Sequence, residues 1–366
     1  MKIFIMLLIL NFAYISCGNS EKNMKGTKIQ KNSKEIITFN DEKNLPSQII
    51  PNKKDYTVLI SNYSKDYSKI AINDSLENLE TVYTADQNVQ ITDIVSNEYY
   101  VAWFEFHETT KKTKINQLKV YDRKTKEISV IYTNEIKMEE KNFQLRNLGI
   151  DKTKIYYIVP NDQEKKSQIL SYNMEDKTKE VVIEYLFTNK SFPLNQSITY
   201  FQIRDSILTI SYLTDNNVIL EAYDLKAKKV IAKKDLPDNV LLVYSADYES
   251  QKNIFALYYK KNDNTDGVGI IGFDSFQISI KEIFTPKPTA VLYDDKIHII
   301  GNNIIFNLQS NVSGYVSDHY EAVVYDYIND KPSSFKRCFY LTIDSDELFG
   351  LFFKEQSIKE IYYKPL

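Results

Sequence analysis

The chain has 366 residues, 43% of them hydrophobic, and a formal net charge of −3 at pH 7. That length allows one large domain or two average ones with a sizeable core, and the interspersed charges exclude the basic domain of a dedicated nucleic-acid binder. Twenty-eight tyrosines and 19 phenylalanines against 9 glycines suit pleated surfaces, so the composition points to an all-β chain.

At the start, Lys2 precedes an unbroken apolar run from Ile3 to Phe12. The run fits a secretory h-region and falls short of the roughly 20 residues that a transmembrane helix needs. Tyr14-Ile15-Ser16-Cys17-Gly18 follows. A small residue directly before a cysteine, just after an h-region, resembles the lipobox of bacterial lipoproteins, with Tyr14 where that family usually carries leucine. The resemblance implies a signal peptide over 1–16, lipidation of Cys17, and a partner in the membrane through that lipid anchor, outside the cytoplasm. A plain cleaved signal peptide is the other reading. Residues 17–33 are then the lipidated cysteine and a polar, lysine-rich tether, with a reach of roughly 20 Å. The folded domain is expected over 34–366. Beyond Cys17 the chain has one cysteine, Cys338, which has no internal partner and is expected to pack half-buried.

From residue 72 onward a phrase recurs: an aromatic or apolar residue, then Asp or Asn, a polar turn, and a β-type run. It stands at Ile72-Asn73, Tyr121-Asp122, Tyr172-Asn173, Tyr223-Asp224, Phe273-Asp274 and Tyr325-Asp326, at separations of 49, 51, 51, 50 and 52 residues. Such a period indicates a solenoid, propeller or array. Each unit reads as four short strands; in the second they fall at 89–95, 99–106, 115–121 and 128–133, with 107–114 (HETTKKTK) as a polar loop. Four strands per unit predict a β-propeller blade. The corner resembles the aspartate-turn-lysine corner of bacterial propeller repeats of the YVTN and TolB-like kinds, a resemblance that covers one corner per blade and implies fold only. The aromatic is expected to pack between blades and the aspartate to accept backbone N–H groups of its turn.

The last unit holds only three runs, 339–344, 348–353 and 358–363, while Ser33-Lys34-Glu35-Ile36-Ile37-Thr38-Phe39 resembles the stretches that follow the TKE corners at 125–127 and 178–180. The N-terminal stretch is therefore predicted as the outer strand of the last blade, closing a ring. Seven blades are expected, with six or eight left open; the sixth carries the insertion 304–320.

Chemistry is sparse. His107, His298 and His319 fall in three different units, so a site built from them would need other ligands. His107 is expected in a hairpin loop and His298 in a strand. In the insertion, Tyr315, Asp318 and His319 are the candidate partner contacts. The acidic cluster of Asp344, Asp346 and Glu347 is a weak metal candidate whose plainer reading is a turn. Residues 262–267 (NDNTDG) imitate the first half of an EF-hand loop, but the twelfth position is Phe273, so a turn is expected there too. There is no G-x-S-x-G, phosphate-cradling glycine loop or H-E-x-x-H, so no catalytic residue and no cofactor is assigned. The functional expectation is a monomeric, lipid-anchored extracytoplasmic propeller that binds a protein or glycan partner, and no nucleic acid. The alternative is a glycan- or lactone-type hydrolase with acids or a cation in the central channel.

Overall fold

The computed structural model describes residues 28–29, 34–38, 44–52, 55–62, 67–73, 79–87, 89–110, 113–137, 147–161, 164–186, 197–215, 217–272, 280–284, 290–310, 320–336, 338–344, 347–354 and 357–364. All regular structure among them is β, in 29 strands that form seven antiparallel sheets. Two compact units divide the chain, Asp41–Thr285 and Met1–Asn40 with Pro286–Leu366.

The first unit holds five sheets, each four consecutive strands in a meander. Blade 1 is Asn44–Pro51, Tyr56–Asn62, Tyr67–Asn73 and Leu79–Thr84. Blade 2 is Val89–Ser96, Tyr100–Thr110, Thr113–Asp122 and Ile128–Lys137. Blade 3 is Leu148–Asp151, Lys154–Asn161, Lys166–Asn173 and Lys179–Leu186. Blade 4 is Ile198–Arg204, Ile207–Leu213, Val218–Asp224 and Lys229–Asp235. Blade 5 is Val240–Glu249, Ile254–Lys261, Asp266–Gly272 and Lys281–Phe284. Neighbouring blades bury their faces against each other in turn. One cluster joins blades 1 and 2 through Leu59, Ile70, Trp103 and Tyr121. Others join blades 2 and 3, 3 and 4, and 4 and 5. Four-stranded meanders packed face to face in sequence order are the blades of a β-propeller.

The second unit holds blade 6 (Ala290–Ile300, Asn303–Ser310, Tyr320–Asp326, Lys331–Lys336) and blade 7 (Cys338–Asp344, Glu347–Lys354, Ser357–Lys364). Cys338 is fully buried between them with Ile305 and Ala322, deeper than the half-buried position the sequence suggested. Blade 7 takes its outer strand from the other end of the chain: Lys34–Thr38 runs antiparallel to Ser357–Lys364, pairing Lys34 with Glu360 and Thr38 with Ser357. That strand covers only the first half of its neighbour. Lys28–Ile29 pairs with Lys364 and Tyr363 and covers the rest, so part of the expected tether is drawn into the sheet.

The repeated corner has a local cause in each blade where it is described. Asp122 Oδ1 accepts the N–H groups of Lys124 and Thr125 at 2.8 and 3.1 Å, and Asp224 and Asp326 do the same for their own turns. The aromatics pack between blades, Tyr121 with blade 1, Tyr172 with blade 2 and Tyr223 with blade 3. The fifth residue after each aromatic sits in the left-handed region: Lys126 and Lys177 at φ 61°, Lys228 at 52° and Asp330 at 55°. A Cβ is disfavoured there, while glycine enters it freely. Lys177 is exposed, so Lys177→Gly is expected to stabilise the protein by roughly 0.5–1 kcal/mol. A urea titration checks this, and a lower midpoint with unchanged slope would contradict it.

The edges of the sheets share a second device. In the fourth strands of blades 1 to 5 the ladder skips one residue, at Val82, Ile131, Val182, Ile231 and Ile283. Lys34–Thr38 skips Ile36 in the same way. First strands are interrupted similarly in blades 1, 2, 4, 5, 6 and 7. The central pairings run without a shift except near the tip of blade 2, between Glu108 and Thr110. Bulges at the edges increase twist and spoil the edge as a template for another strand.

In blade 2 the second and third strands are longer than expected. Residues 107–110 and 113–114 extend the ladder, with His107 opposite Ile115, Glu108 opposite Lys114 and Thr110 opposite Thr113. Ladder pairing satisfies the backbone N–H and C=O groups whatever side chains they carry, which outweighs the polarity that suggested a loop. His107 is thus a half-buried strand residue.

Candidate functional site

Departures from the repeat locate the polar sites. The residue after the corner aspartate or asparagine is Met174 in blade 3, Leu225 in blade 4 and Tyr327 in blade 6, each facing apolar neighbours or buried. Its backbone N–H is donated to the preceding hairpin in every case: Met174 to Thr153, Leu225 to Ser206, Tyr327 to Asn302 and, in blade 2, Arg123 to Tyr99. Blade 2 alone among these has a charge at that place. The Arg123 guanidinium reaches back into blade 1, giving Nη1 to Asp55 Oδ2 at 2.6 Å and Nη2 to Thr57 Oγ1 at 2.7 Å, and it also donates Nη2 to Ser96 Oγ of its own blade at 2.9 Å. Asn52 Nδ2 donates to Asp55 Oδ1 at 2.8 Å, so both oxygens of Asp55 are held. The side chains of Arg123 and Asp55 are only 11% and 16% exposed. Beside this clamp lies a recess of about 270 Å³ lined by Asn52, Asp55, Glu98 and Tyr99. Its polar lining suits a small polar group or a partner's side chain.

Two buried acids sit between blades. Glu105, in the second strand of blade 2, accepts Trp103 Nε1–H at 3.2 Å and pairs with Lys119 Nζ at 2.6 Å. Lys119 also donates to Tyr83 Oη of blade 1 at 3.0 Å. Burial works against the Lys119 ammonium, but the Glu105 carboxylate and the Tyr83 hydroxyl outweigh it and raise its pKa. Between blades 3 and 4, Tyr185 donates to Glu221 Oε1 at 2.6 Å and Tyr212 to Glu221 Oε2 at 3.3 Å, with the two rings stacked 3.7 Å apart. The register explains the exchange of partners: Lys119 lies opposite Trp103, and Glu221 lies opposite Ile210 at the matching place in blade 4. Between blades 2 and 3 the same region is aromatic, with Tyr132 and Tyr157 at 5.4 Å. The first strands add Asp93, which accepts Leu148 N–H of blade 3 at 2.8 Å, and Asp247, which pairs with Arg204 of blade 4 at 3.2 Å.

Burial raises many tyrosines. Tyr156 is pushed up to about 12, and Tyr157, Tyr185 and Tyr259 go higher still, Tyr185 and Tyr259 also through Glu221 and Glu282. Because the folded chain holds these protons while an unfolded tyrosine ionises near ~10, their stabilisation is full below that pH and is lost as pH climbs beyond it. Alkaline titration is therefore expected to release tyrosinate absorbance from these residues together with the β-sheet circular dichroism signal. Ordinary titration near pH ~10 with the sheet signal intact would refute this.

Of the residues singled out by sequence, Cys17, Tyr315, Asp318, His319 and Asp346 lie outside the described residues. Asp344 and Glu347 are paired at the two ends of a hairpin in blade 7. Among the described residues, no three of His, Cys, Asp and Glu gather where they could hold a metal ion. Residues 262–265 form a turn in which Asp263 Oδ1 accepts Thr265 N–H at 2.9 Å. His298 lies in the first strand of blade 6. Arg123, Glu105 and Glu221 are not among the residues that the sequence motifs single out. Arg123 was visible as the odd residue in a repeated corner, whereas the two acids needed the packing of blades.

No family model and no curated protein matches the chain. Solved structures do resemble it. A structure from a study of two prolyl endopeptidases is 14% identical with a TM-score of 0.53, over 88% of this chain and 48% of that one. The chain thus spans about half the length of that endopeptidase. The β-propeller domain of the trilobed protease from Pyrococcus furiosus is 13% identical over 77% of this chain and 84% of its own, with a TM-score of 0.44. TolB from Acinetobacter baumannii is 10% identical over 87% and 79%, with a TM-score of 0.42. At such identities the likeness is one of fold, and the chain is an all-β protein built of β-propeller blades.

Proposed function

We propose that this protein is a membrane-tethered propeller outside the cytoplasm that binds a ligand or protein partner and carries out no chemistry of its own. One observation carries the reading. The buried acids Glu105, Glu221 and Asp247 are each engaged with lysine, tyrosine or arginine, and all bridge or brace neighbouring blades. A hydrolase of the glycan or lactone type needs acids directed at a substrate, with at least one of them free to exchange a proton. Here those acids serve as packing. In the same proposal the ring closes through the N-terminal strand, Cys17 carries the lipid, and the partner contacts lie in the insertion that holds Tyr315, Asp318 and His319.

Crosslinking in intact cell envelopes, followed by affinity capture, is expected to recover a reproducible partner that is lost when Tyr315, Asp318 and His319 are replaced together by alanine. Turnover of glycoside or lactone substrates by the purified chain, abolished by replacing one acid, would instead establish the hydrolase. Metabolic labelling with a fatty-acid analogue is expected to mark the wild type and not Cys17→Ala; equal labelling would remove the anchor from the proposal.

A further inference from the structure

The fourth strands of blades 2, 3 and 4 all expose β-branched residues: Ile128 and Val130, Val181, and Val230 and Ile231. Their charges differ. The 12 residues from the corner aspartate of blade 4, 224–235 (DLKAKKVIAKKD), hold five lysines and two aspartates, a formal +3 within a chain of −3. The matching stretch of blade 2, 122–133, is +1, and that of blade 3, 173–184, is −2. From Lys226 to Ile231 every residue is exposed, with Val230 at 45% and Ile231 at 37%. Asp224 is already counted in that +3, and its Oδ1 accepts the N–H groups of Lys226 and Ala227 at 2.8 and 2.9 Å. Lys228 is committed to Glu180 of blade 3 at 2.5 Å and Lys233 to Glu221 at 3.8 Å, and Lys226 and Lys229 stand beside the exposed apolar pair.

We propose that this edge of blade 4 docks on the headgroup layer of an anionic lipid membrane. The lysines match the charge of such a surface, and Val230 and Ile231 match the apolar layer beneath it. A peptide added as a further strand fits worse, because the skipped residue Ile231 interrupts the ladder in the middle of the edge. The inference deepens the membrane-tethered reading but does not depend on the acyl chain.

The test is co-sedimentation of the full chain carrying Cys17→Ser with vesicles of neutral phosphatidylcholine, with or without phosphatidylglycerol. The apolar N-terminal run partitions into both, and the lysine-rich stretch 17–33 also responds to phosphatidylglycerol, so the part of the difference that is lost on replacing Lys226 and Lys229 reports the charged edge. Binding is expected to rise with phosphatidylglycerol and to fall with salt. Lys226→Gln with Lys229→Gln is expected to cut the phosphatidylglycerol-dependent part roughly tenfold or more. Val230→Ser with Ile231→Ser is expected to weaken it while leaving its salt dependence. Because all four positions are exposed, circular dichroism and melting are expected to stay unchanged, and this is checked for each variant. Equal binding to both vesicles, or undiminished binding by the lysine pair variant, overturns the proposal. Fatty-acid labelling at Cys17 is read separately, so either result can fail without the other.

Discussion

Replacing Glu105 with leucine is expected to destabilise the protein by about 3 kcal/mol and to change the emission of Trp103. Lys119 is 17% exposed on its side chain and draws its counter-charge from Glu105 at 2.6 Å. Without the carboxylate, an ammonium stays in a largely desolvated interface, and stranding one member of a buried pair costs far more than the pair contributes. Trp103 is the sole tryptophan and donates its indole N–H to the same carboxylate, so its fluorescence reports this interface alone. Lys119→Met added to Glu105→Leu is expected to recover most of the loss, because an apolar pair of similar volume removes both charges. Denaturant melts of the two single variants and the double variant decide the matter. A double variant as unstable as the sum of the singles would show that the pair is not the cause. The equivalent change at Glu221 is expected to cost less, since Lys233 is 53% exposed and stays hydrated when its partner goes.

Removing residues 1–40 and supplying a fresh export signal is expected to have the second large effect. Blade 7 then loses Lys34–Thr38 and Lys28–Ile29, its only partners along one side of Ser357–Lys364 among the described strands. At about 1 kcal/mol for each ladder hydrogen bond, the loss amounts to several kcal/mol. The exposed edge is also the wrong kind to leave open. Ser357–Lys364 pairs with Glu347–Lys354 without any shift, so it presents a regular, unbulged row of donors and acceptors. Such an edge templates association between chains. The truncated protein is expected to melt lower and to associate with increasing concentration, and a synthetic peptide covering 28–39 is expected to reverse both. Unchanged melting and a monodisperse truncated chain would show that the strand is dispensable.

Much of the fold was legible because it rests on local chemistry. The aspartate corner at Asp122, Asp224 and Asp326 depends on groups within a few residues, and its repetition at about fifty residues is visible in any reading of the chain. The match between Ser33–Phe39 and the stretches after the TKE corners had the same origin: an edge strand must carry the same residue types wherever it sits in the chain. What failed was also local. The length of the blade 2 hairpin and the position of His107 depended on backbone pairing across the hairpin, His107 with Ile115, which a polarity pattern does not show.

The sequence by itself determined the unit, its four strands, its corner and the strand shared between the two ends, because each follows from period-2 patterning and turn chemistry over short distances. Only the tertiary structure decided which charges lie between blades. Glu105 and Lys119 are 14 residues apart, and Tyr185 and Glu221 are 36 apart. Nothing in their neighbours distinguishes them from surface residues, since a carboxylate is buried or solvated according to the sheet that packs against it. The skipped Val and Ile residues at the blade edges were likewise indistinguishable from ordinary strand residues, because a bulge is a property of two paired strands and neither strand encodes it alone.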